Sequence, residues 1–330
     1  MKKSLLALAV LGAFAGAASA QSSVTLYGKV DLGVGKAAGT KDKTVMDGSG
    51  SRVGLKGSED LGGGMKALFG FEHRFNPDTG TQNGAAFWQG YSTVGIGGAF
   101  GTVNLGRQYT SAFSLAQNVF DPFGGDSEGR LRALSLTPST RLTTDAATAA
   151  ATGAAKIRTQ DSIRYDGTFA GLKIAADIAE GTATTKRPYS LAAQYAVGPV
   201  MVAASYENPG AAKDNLTTAG VAYTFGPAKL AAAMSTGKDA DGEKIRGYLL
   251  GATVNVGPAG QVLAGYAQLK EGTATPAKKA SVGYRHNLSK RTQLYADFSR
   301  VNEPALSLNA STGRNTSEKN AYDFGVLHAF

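Results

Sequence analysis

Hydrophobic and polar residues alternate with a period of two along most of the chain. In the segment 24–34, for example, Val24 and Leu26 occupy one set of alternate positions, whereas Thr25 and Lys29 occupy the other. Alternation of this kind is typical of a β-strand that has one apolar and one polar face. The pattern therefore predicts a protein built mainly from β-strands.

The same alternation recurs often enough to predict sixteen strands. They lie at 24–34, 52–58, 66–74, 86–96, 101–107, 160–168, 171–180, 188–197, 200–207, 216–225, 228–236, 245–256, 261–270, 277–286, 292–301 and 321–330. Short connections rich in Gly, Pro and Asn alternate with long connections, of which the third is 108–159. Tight turns at one rim and longer loops at the other are typical of an antiparallel outer-membrane barrel.

The length of the chain agrees with this count. A membrane strand needs about 9–11 residues, so sixteen strands use about 160 residues and leave a similar number for the connections. A secreted β-sandwich would also alternate, and the period alone leaves both folds open. The apolar faces carry few large side chains and are rich in glycine, of which the chain has 44. This favours contact with lipid over an interlocking core.

The first twenty residues have the features of a secretory signal peptide. Lys2 and Lys3 precede an apolar stretch at 5–18, and the small residues at 18–20 fit a cleavage site. We therefore expect this segment to be removed, which leaves one exported domain at 21–330.

The composition excludes several classes of function. The chain has no cysteine, so disulfides, thiolate metal sites and cysteine nucleophiles are excluded. Its three histidines are scattered, and we find no P-loop spacing and no Ser–His pair on one strand region, so we predict no enzyme, no metal site and no cofactor. The charges are evenly spread despite a formal net charge of +9, which argues against a nucleic-acid partner. No apolar stretch beyond residue 20 is long enough for a membrane helix.

The last strand and three other segments carry a family resemblance. The strand at 322–330 ends in a large aromatic residue, and the segments 23–31, 51–62 and 100–108 follow in the expected order. Over 23–330, the chain resembles the Gram-negative general porins, of the trimeric sixteen-stranded type found in β-proteobacteria.

The resemblance implies a fold, a location and an activity. The fold is an all-β, 16-stranded antiparallel transmembrane β-barrel with an inward-folded third loop, 108–159, that forms an eyelet. The location is the bacterial outer membrane, where a homotrimer would contact lipid and lipopolysaccharide. The activity is passive diffusion of ions, inorganic anions and small hydrophilic solutes. Phe330 resembles the sorting signal that the barrel-assembly machinery reads.

The tip of the eyelet loop is expected to carry the acidic side of the pore. Residues 119–126 resemble the inward-folded tip of the family, which has a proline, an aromatic residue and two glycines. The turn residues are Pro122, Phe123, Gly124 and Gly125, and the acidic residues are Asp121, Asp126 and Glu128. The Ala/Thr-rich segment 142–155 departs from the family loop, and we interpret it as an insertion, more simply a solvated surface excursion.

Arginines are expected to form the basic side of the pore. Alternation places Arg52, Arg74 and Arg164 on the inward face. Arg107 shares the parity of the outward residue Val103 and belongs to the basic wall only by resemblance. Two further arginines follow the acidic tip and can point either way; they are Arg130 and Arg132. Lys29, Lys56 and Lys66 are interpreted as general lumen lining.

A basic half-ring that faces loop carboxylates would favour anions. Alternatively, each arginine simply pairs with a neighbouring lumen carboxylate. A sugar-selective channel would need several inward aromatic residues, and only Tyr27 and Tyr91 qualify. A phosphate-selective channel and a surface adhesin with an incidental pore also remain open. Aromatic girdles are expected from residues near the strand ends, namely Tyr165, Tyr223, Phe225, Tyr266, Tyr284 and Phe298.

Overall fold

The computed structural model describes six parts of the chain. They are residues 22–137, 157–181, 186–210, 213–239, 241–302 and 318–330. The signal-peptide prediction for 1–20 and the insertion predicted at 142–155 lie outside the described residues, and so does the end of the third long loop.

Antiparallel strands form one closed sheet in the described part of the chain. Their bounds are β1 Ser23–Lys36, β2 Thr44–Met46, β3 Arg52–Gly62, β4 Met65–Asn76, β5 Thr81–Gln82, β6 Tyr91–Gly98, β7 Gly101–Tyr109, β8 Arg158–Phe169, β9 Leu172–Ala179, β10 Tyr189–Val197, β11 Val200–Asn208, β12 Asn215–Phe225, β13 Ala228–Lys238, β14 Lys244–Val256, β15 Gly260–Glu271, β16 Ala277–Asn287, β17 Thr292–Val301 and β18 Asn320–Ala329. β2 and β5 are short additions in the first two long loops, and the sixteen long strands form the barrel wall.

Pairing between the first and last strands closes the barrel. Lys29 lies opposite Ala329, and the register continues to Lys36 opposite Tyr322. The backbone amides of Gly28 and Phe330 each donate to the other residue's carbonyl at 3.0 Å. The Phe330 ring covers Gly28, where an added Cβ would lie 2.4 Å from the ring. Closure leaves no unpaired sheet edge. This matters because lipid offers no hydrogen-bond partners to the backbone of an edge strand.

The side-chain alternation predicted from the sequence is present in the wall. Outward positions carry exposed aliphatic and aromatic residues, whereas inward positions carry polar residues that are largely buried by the contents of the lumen. The expected girdle residues Tyr223, Phe225, Tyr266, Tyr284 and Phe298 are all exposed on the outer face, and Tyr165 is partly buried because its hydroxyl donates to the Phe100 carbonyl at 2.6 Å.

All sixteen predicted strands are confirmed, with differences at their ends. The clearest difference is β6, which begins at Tyr91 and not at residue 86. Phe87 and Trp88 precede it and turn outward, where their rings meet edge-on with centroids 4.9 Å apart. Trp88 also packs against Phe71 of β4 at 5.4 Å. The contacts of these exposed rings with each other and with the outer wall outweigh their preference for a strand.

The largest apolar cluster lies inside the barrel, between a loop and the wall. It joins Phe120, Phe123, Leu131 and Leu136 of the third long loop to Leu249 and neighbouring wall residues. Burying side chains of this size stabilises a protein by about 1.5–3 kcal/mol each. The described helices are single turns, and none is long and apolar enough to cross a membrane.

Candidate functional site

The third long loop leaves β7 after Tyr109 and runs along the inner face of the wall. Near its start, the Ser111 amide donates to Asp177 Oδ1 of β9 at 2.5 Å. Further along, Gln117 Nε2 donates to Glu207 Oε1 of β11 at 2.9 Å. Both carboxylates are buried. A buried carboxylate without a hydrogen-bond donor is costly. The two wall carboxylates therefore favour the position of the loop inside the lumen, where it donates to them.

The tip of the loop is held on the other side of the barrel. The Glu128 amide donates to Asp323 Oδ2 of β18 at 3.0 Å, and the Ser127 hydroxyl donates to Asp297 of β17. Arg285 of β16 holds Asp297 through two hydrogen bonds of 2.6 and 2.8 Å. Since β9 and β18 lie far apart around the ring, the loop covers the wall from β9 to β18.

Glycines in the wall make room for the apolar residues of the loop. At four inward positions, an added Cβ would lie 2.4–2.8 Å from a loop side chain. The pairs are Phe120 with Gly220, Pro122 with Gly251, Leu131 with Gly265 and Phe123 with Gly283. A larger residue at these positions would push the loop away from the wall.

The turn at the loop tip has the expected glycines. Gly124 and Gly125 have φ values of +66° and +73°, a region that favours glycine, and the Gly124 amide donates to the Asp121 carbonyl at 3.0 Å. The prediction that these residues allow a sharp turn is confirmed. Phe123 follows Pro122 and is buried in the apolar cluster.

Asp121 does not present its carboxylate to the lumen, which corrects the sequence-based expectation. Its side chain is only 7% exposed. Oδ2 accepts from the amides of Leu131 and Arg132 at 2.7 Å each, and Oδ1 accepts from the Phe123 amide at 3.0 Å. Asp121 therefore joins two turns of the loop, because buried backbone amides need acceptors.

Glu128 is also withdrawn from the lumen. It is 4% exposed, and its carboxylate lies 4.0 Å from Arg130, so the charge of Arg130 is offset as well. Asp126 differs, since its side chain is 42% exposed and lies 3.8 Å from Lys29 Nζ. Burial of the tip raises the pKa of Asp126, while Lys29, Arg132 and Arg52 act in the opposite direction. Of the three predicted acids, Asp126 alone faces the open lumen.

Arg52 and Arg74 lie where the alternation placed them. They are directly opposite each other on β3 and β4. Glu72 lies between them, 3.0 Å from Arg74 and 3.9 Å from Arg52. One buried carboxylate thus serves two guanidinium groups and leaves an excess of positive charge. Arg74 also donates to the Tyr109 hydroxyl at 2.9 Å.

Two more arginines extend this cluster along stacked rings. Arg158 lies over the Tyr109 ring at 4.1 Å, Tyr109 stacks on Phe113 at 4.9 Å, and Arg132 lies over Phe113 at 4.8 Å. The sequence left the direction of Arg132 open, and the structure turns it toward Asp126 and Phe113. Arg158 was not predicted, because the sequence placed it in the third long loop, 108–159, whereas β8 already begins at Arg158.

Arg164 and Arg107 do not belong to the cationic cluster. Arg164 points inward as predicted, but Asp166 holds it through two hydrogen bonds and its Nη1 donates to the Tyr109 carbonyl at 2.8 Å. It therefore anchors the start of the loop. Arg107 lies opposite the outward residue Ser92, and its Nε donates to the Gln89 carbonyl at 3.0 Å. Arg107 thus lies on the outward side that its parity indicates, although its charge still acts on Arg158.

Two tyrosines complete the uncovered wall. The Tyr27 hydroxyl lies 2.7 Å from the Tyr91 hydroxyl and 3.1 Å from Glu72 Oε2. Lys56 lies over the Tyr27 ring at 5.4 Å. The rings rest on glycines of β3 and β4, so they lie flat against the wall.

The arrangement forms a constriction with an uneven charge. We call it the constriction cluster; its members are Lys29, Arg52, Glu72, Arg74, Asp126, Arg132 and Arg158. Five are cationic and two are acidic. Without the loop residues Asp126 and Arg132, the wall still has four cationic groups and one carboxylate, so it carries net positive charge. Such a cluster attracts anions and repels cations that pass through it.

Known proteins that are similar to the chain identify its family. A family model described as Gram-negative porin matches residues 7–305. The chain belongs to the Gram-negative porin family. It is 35% identical to outer membrane porin protein 32 of Delftia acidovorans, with 100% of each chain covered. It is 30% identical to an outer membrane porin protein of Bordetella pertussis, over 90% of this chain and 93% of that one.

Solved porin structures share the same fold. A structure described as an anion-selective porin from Comamonas acidovorans matches this porin with a TM-score of 0.75 and 28% identity. The match covers 94% of this chain and 100% of that one. The protein is therefore an outer-membrane porin with a 16-stranded barrel.

Proposed function

We propose that this porin is a general diffusion channel whose constriction favours anions. Its family and fold are those of a water-filled outer-membrane channel. The observation that carries the proposal is the constriction cluster, in which five cationic groups face two carboxylates. We assign the porin no catalytic role.

The charge excess acts because the loop tip lies close to the cationic wall, with Asp126 3.8 Å from Lys29 Nζ. At physiological salt, charges are screened over about 8 Å. An ion that passes the loop tip therefore comes within this screening distance of the cluster. The low dielectric of the wall strengthens the field in the opening. The similar porin described as anion-selective supports the same direction of preference.

A general diffusion channel fits the contents of the lumen better than a sugar-specific channel does. A sugar slide needs successive aromatic rings that solutes can contact. Tyr27 and Tyr91 are tied to each other and to Glu72, while Tyr109 lies between arginine side chains. The rings therefore organise charges and do not form a continuous apolar track.

Single-channel recording under a KCl gradient tests the proposal. The wild-type barrel should give a large ohmic conductance and a reversal potential that shows anion preference. Arg52→Gln/Arg74→Gln should lower the ratio of anion to cation permeability about fivefold, because a unit charge a few Å away is worth about 1 kcal/mol in water. Lys66→Gln/Lys173→Gln is the matched control, since these lysines point inward near the opposite, turn-side rim.

The control variant should keep the wild-type reversal potential. An unchanged reversal potential in Arg52→Gln/Arg74→Gln would contradict the assignment of the filter, and a cation-preferring wild type would contradict the proposed function. We further propose that three copies assemble, as the family resemblance implies, and that Phe330 serves as the assembly signal. Cross-linking of the porin in membranes, and the yield of a Phe330→Ala variant, test these two proposals.

A further inference from the structure

The segment 47–51 joins β2 to β3 and forms a compact turn beside the constriction cluster. The Asp47 carboxylate closes this turn, since Oδ1 accepts from the Gly50 amide at 3.0 Å and Oδ2 accepts from the Ser51 amide at 2.6 Å. Gly50 has a φ of +71°, a region that favours glycine. Aspartate side chains that accept from nearby backbone amides stabilise turns. We call residues 47–51 the first-loop turn.

The backbone of the first-loop turn holds Arg52 of the constriction cluster. Arg52 Nε donates to the Gly50 carbonyl at 2.9 Å, and Arg52 Nη2 donates to the Ser49 carbonyl at 2.7 Å. A guanidinium presents its donors in a rigid planar fork, so two acceptors on one side set its direction. These acceptors are uncharged, so they orient Arg52 without offsetting its charge. Arg164 and Arg285 differ, because each is paired with a carboxylate, at 2.5 and 2.6 Å.

The same turn also lies against Arg74. An added Cβ on Gly50 would lie 2.6 Å from Arg74 Nη1, so the guanidinium occupies space that a glycine leaves open. On its other side, Arg74 Nη2 donates to the Tyr109 hydroxyl at 2.9 Å. The guanidinium of Arg74 is therefore confined between the first-loop turn and Tyr109, and a larger residue at position 50 would displace it.

The first-loop turn further contacts the tip of the third long loop. The Gly48 carbonyl accepts from the Ser127 amide at 2.7 Å, and Ser127 directly follows Asp126 in the tip. The turn is itself anchored to β1, because the hydroxyl of the fully buried Ser51 accepts from the Asp31 amide at 3.0 Å. Five consecutive residues thus contact both the arginine wall and the loop segment that carries the facing carboxylate.

We propose that the first-loop turn positions the ion filter and that Asp47 is the positioning residue that holds the turn. The Asp47 carboxylate fixes the turn, and the turn sets the direction of Arg52, the space for Arg74 and the separation of both from the loop tip. Without the two hydrogen bonds of Asp47, Arg52 can swing toward Glu72, now 3.9 Å away, which would offset more of its charge. The inference rests on the proposed function, because it assumes that the constriction cluster selects ions.

Two substitutions of Asp47 separate its positioning role from its charge. Removal of a negative charge near the opening would by itself raise the anion preference, whereas loss of the turn should lower it. Asp47→Ala and Asp47→Asn remove the same charge, but the asparagine keeps one oxygen acceptor. In recordings under a KCl gradient, the anion-to-cation permeability ratio of Asp47→Ala should be about twofold below that of Asp47→Asn, because the effect of a displaced guanidinium on an ion weakens with distance.

A pair of glycine substitutions tests the turn without any change of charge. Gly50 and Gly80 have φ values of +71° and +70°, so alanine strains the backbone similarly at both positions. Among the residues that the structure describes, an added Cβ at Gly80 meets no atom within 4 Å, whereas at Gly50 it meets the flexible end of Arg74. Gly50→Ala should lower the permeability ratio about twofold, because Arg74 moves away from Tyr109 and the cationic groups spread apart. Gly80→Ala should keep the wild-type ratio.

Two results would overturn the proposal. Equal permeability ratios in Asp47→Ala and Asp47→Asn would show that the turn does not depend on the carboxylate, and equal ratios in Gly50→Ala and Gly80→Ala would show that the turn does not position the filter. If Asp47→Ala does not fold, as judged by its heat-modifiable migration on a gel, the glycine pair decides. A wild-type barrel without anion preference would contradict the proposed function, and a difference within the glycine pair would even then support the turn as the positioning element.

Discussion

Lys29 on β1 places its Nζ 3.8 Å from the Asp126 carboxylate on the loop tip. The pair joins the uncovered wall to the tip of the loop that lines the remaining wall. Both members belong to the constriction cluster, and neither belongs to the buried hydrogen bonds that hold the loop in place. Their charges can therefore be changed without removing a contact that fixes the loop.

Charge changes at this pair should shift ion preference in opposite directions. Asp126→Asn removes a negative charge and should raise the anion-to-cation permeability ratio, whereas Lys29→Gln should lower it, each about two- to fivefold. Reversal potentials under a KCl gradient measure both. If the two variants shift the potential in the same direction, the changes have altered the loop and not the field.

Acidification should increase the anion preference of the wild-type porin. Because burial raises the pKa of Asp126, this carboxyl takes up its proton at a higher pH than an ordinary aspartate, for which the pKa is about 3.9. Protonation removes a negative charge, so the effect appears as pH falls from neutrality toward that value and is absent at higher pH. In Asp126→Asn, the reversal potential should change less with pH across this range than it does in the wild type.

Filling a glycine position behind the loop should narrow the pore without changing any charge. An added Cβ at Gly251 would lie 2.6 Å from Pro122 Cδ. The proline ring is part of the backbone and cannot rotate away, so Gly251→Ala should move the loop toward the lumen and lower the single-channel conductance. Gly97→Ala is a suitable control, because the atoms nearest to an added Cβ there would belong to the side chains of Thr102 and Leu68, at 3.3 and 3.4 Å.

If the conductance of Gly251→Ala equals that of wild type, the added methyl group has displaced the wall strand and not the loop. Gly97→Ala, which lies on β6 away from the loop, should leave conductance unchanged.

Loss of the Asp297 carboxylate should loosen the loop tip. Asp297→Ala leaves the Arg285 guanidinium buried without its partner and removes the acceptor of the Ser127 hydroxyl. Breaking a buried ion pair in this way costs about 3–5 kcal/mol. Denaturant titration of the refolded barrel measures the loss, and channel recordings should show more frequent transient closures.

An exposed ion pair provides the comparison for Asp297→Ala. Glu180 and Arg187 lie 3.3 Å apart with side chains 66% and 64% exposed. Glu180→Gln should change stability by less than about 1 kcal/mol. Similar losses in the two variants would show that the tip does not depend on Asp297.

The fold was predictable because its strongest signal is local. Alternation decides which face of each strand meets lipid, and this requirement applies along the whole wall. It placed Arg52 and Arg74 in the lumen. It misplaced the start of β6, where the rings of Phe87 and Trp88 pack on the outer wall instead of extending a strand.

The details of the constriction were less predictable because they depend on contacts between distant segments. The sequence marks Asp121, Asp126 and Glu128 as equivalent acids of the loop tip. Only the folded loop shows that Asp121 accepts hydrogen bonds from its own backbone and that Asp126 faces Lys29. Likewise, the wall carboxylates that hold the loop are separated from it by many residues in sequence, so no local pattern connects them.

The loop also has a mechanical consequence. Its hydrogen bonds to the wall run from Arg164 on β8 and Asp177 on β9 to Asp323 on β18, strands far apart around the ring. A segment fastened at both ends of an arc braces that arc. The same segment carries Asp126, so a change that loosens either end would also displace the charge that faces Lys29.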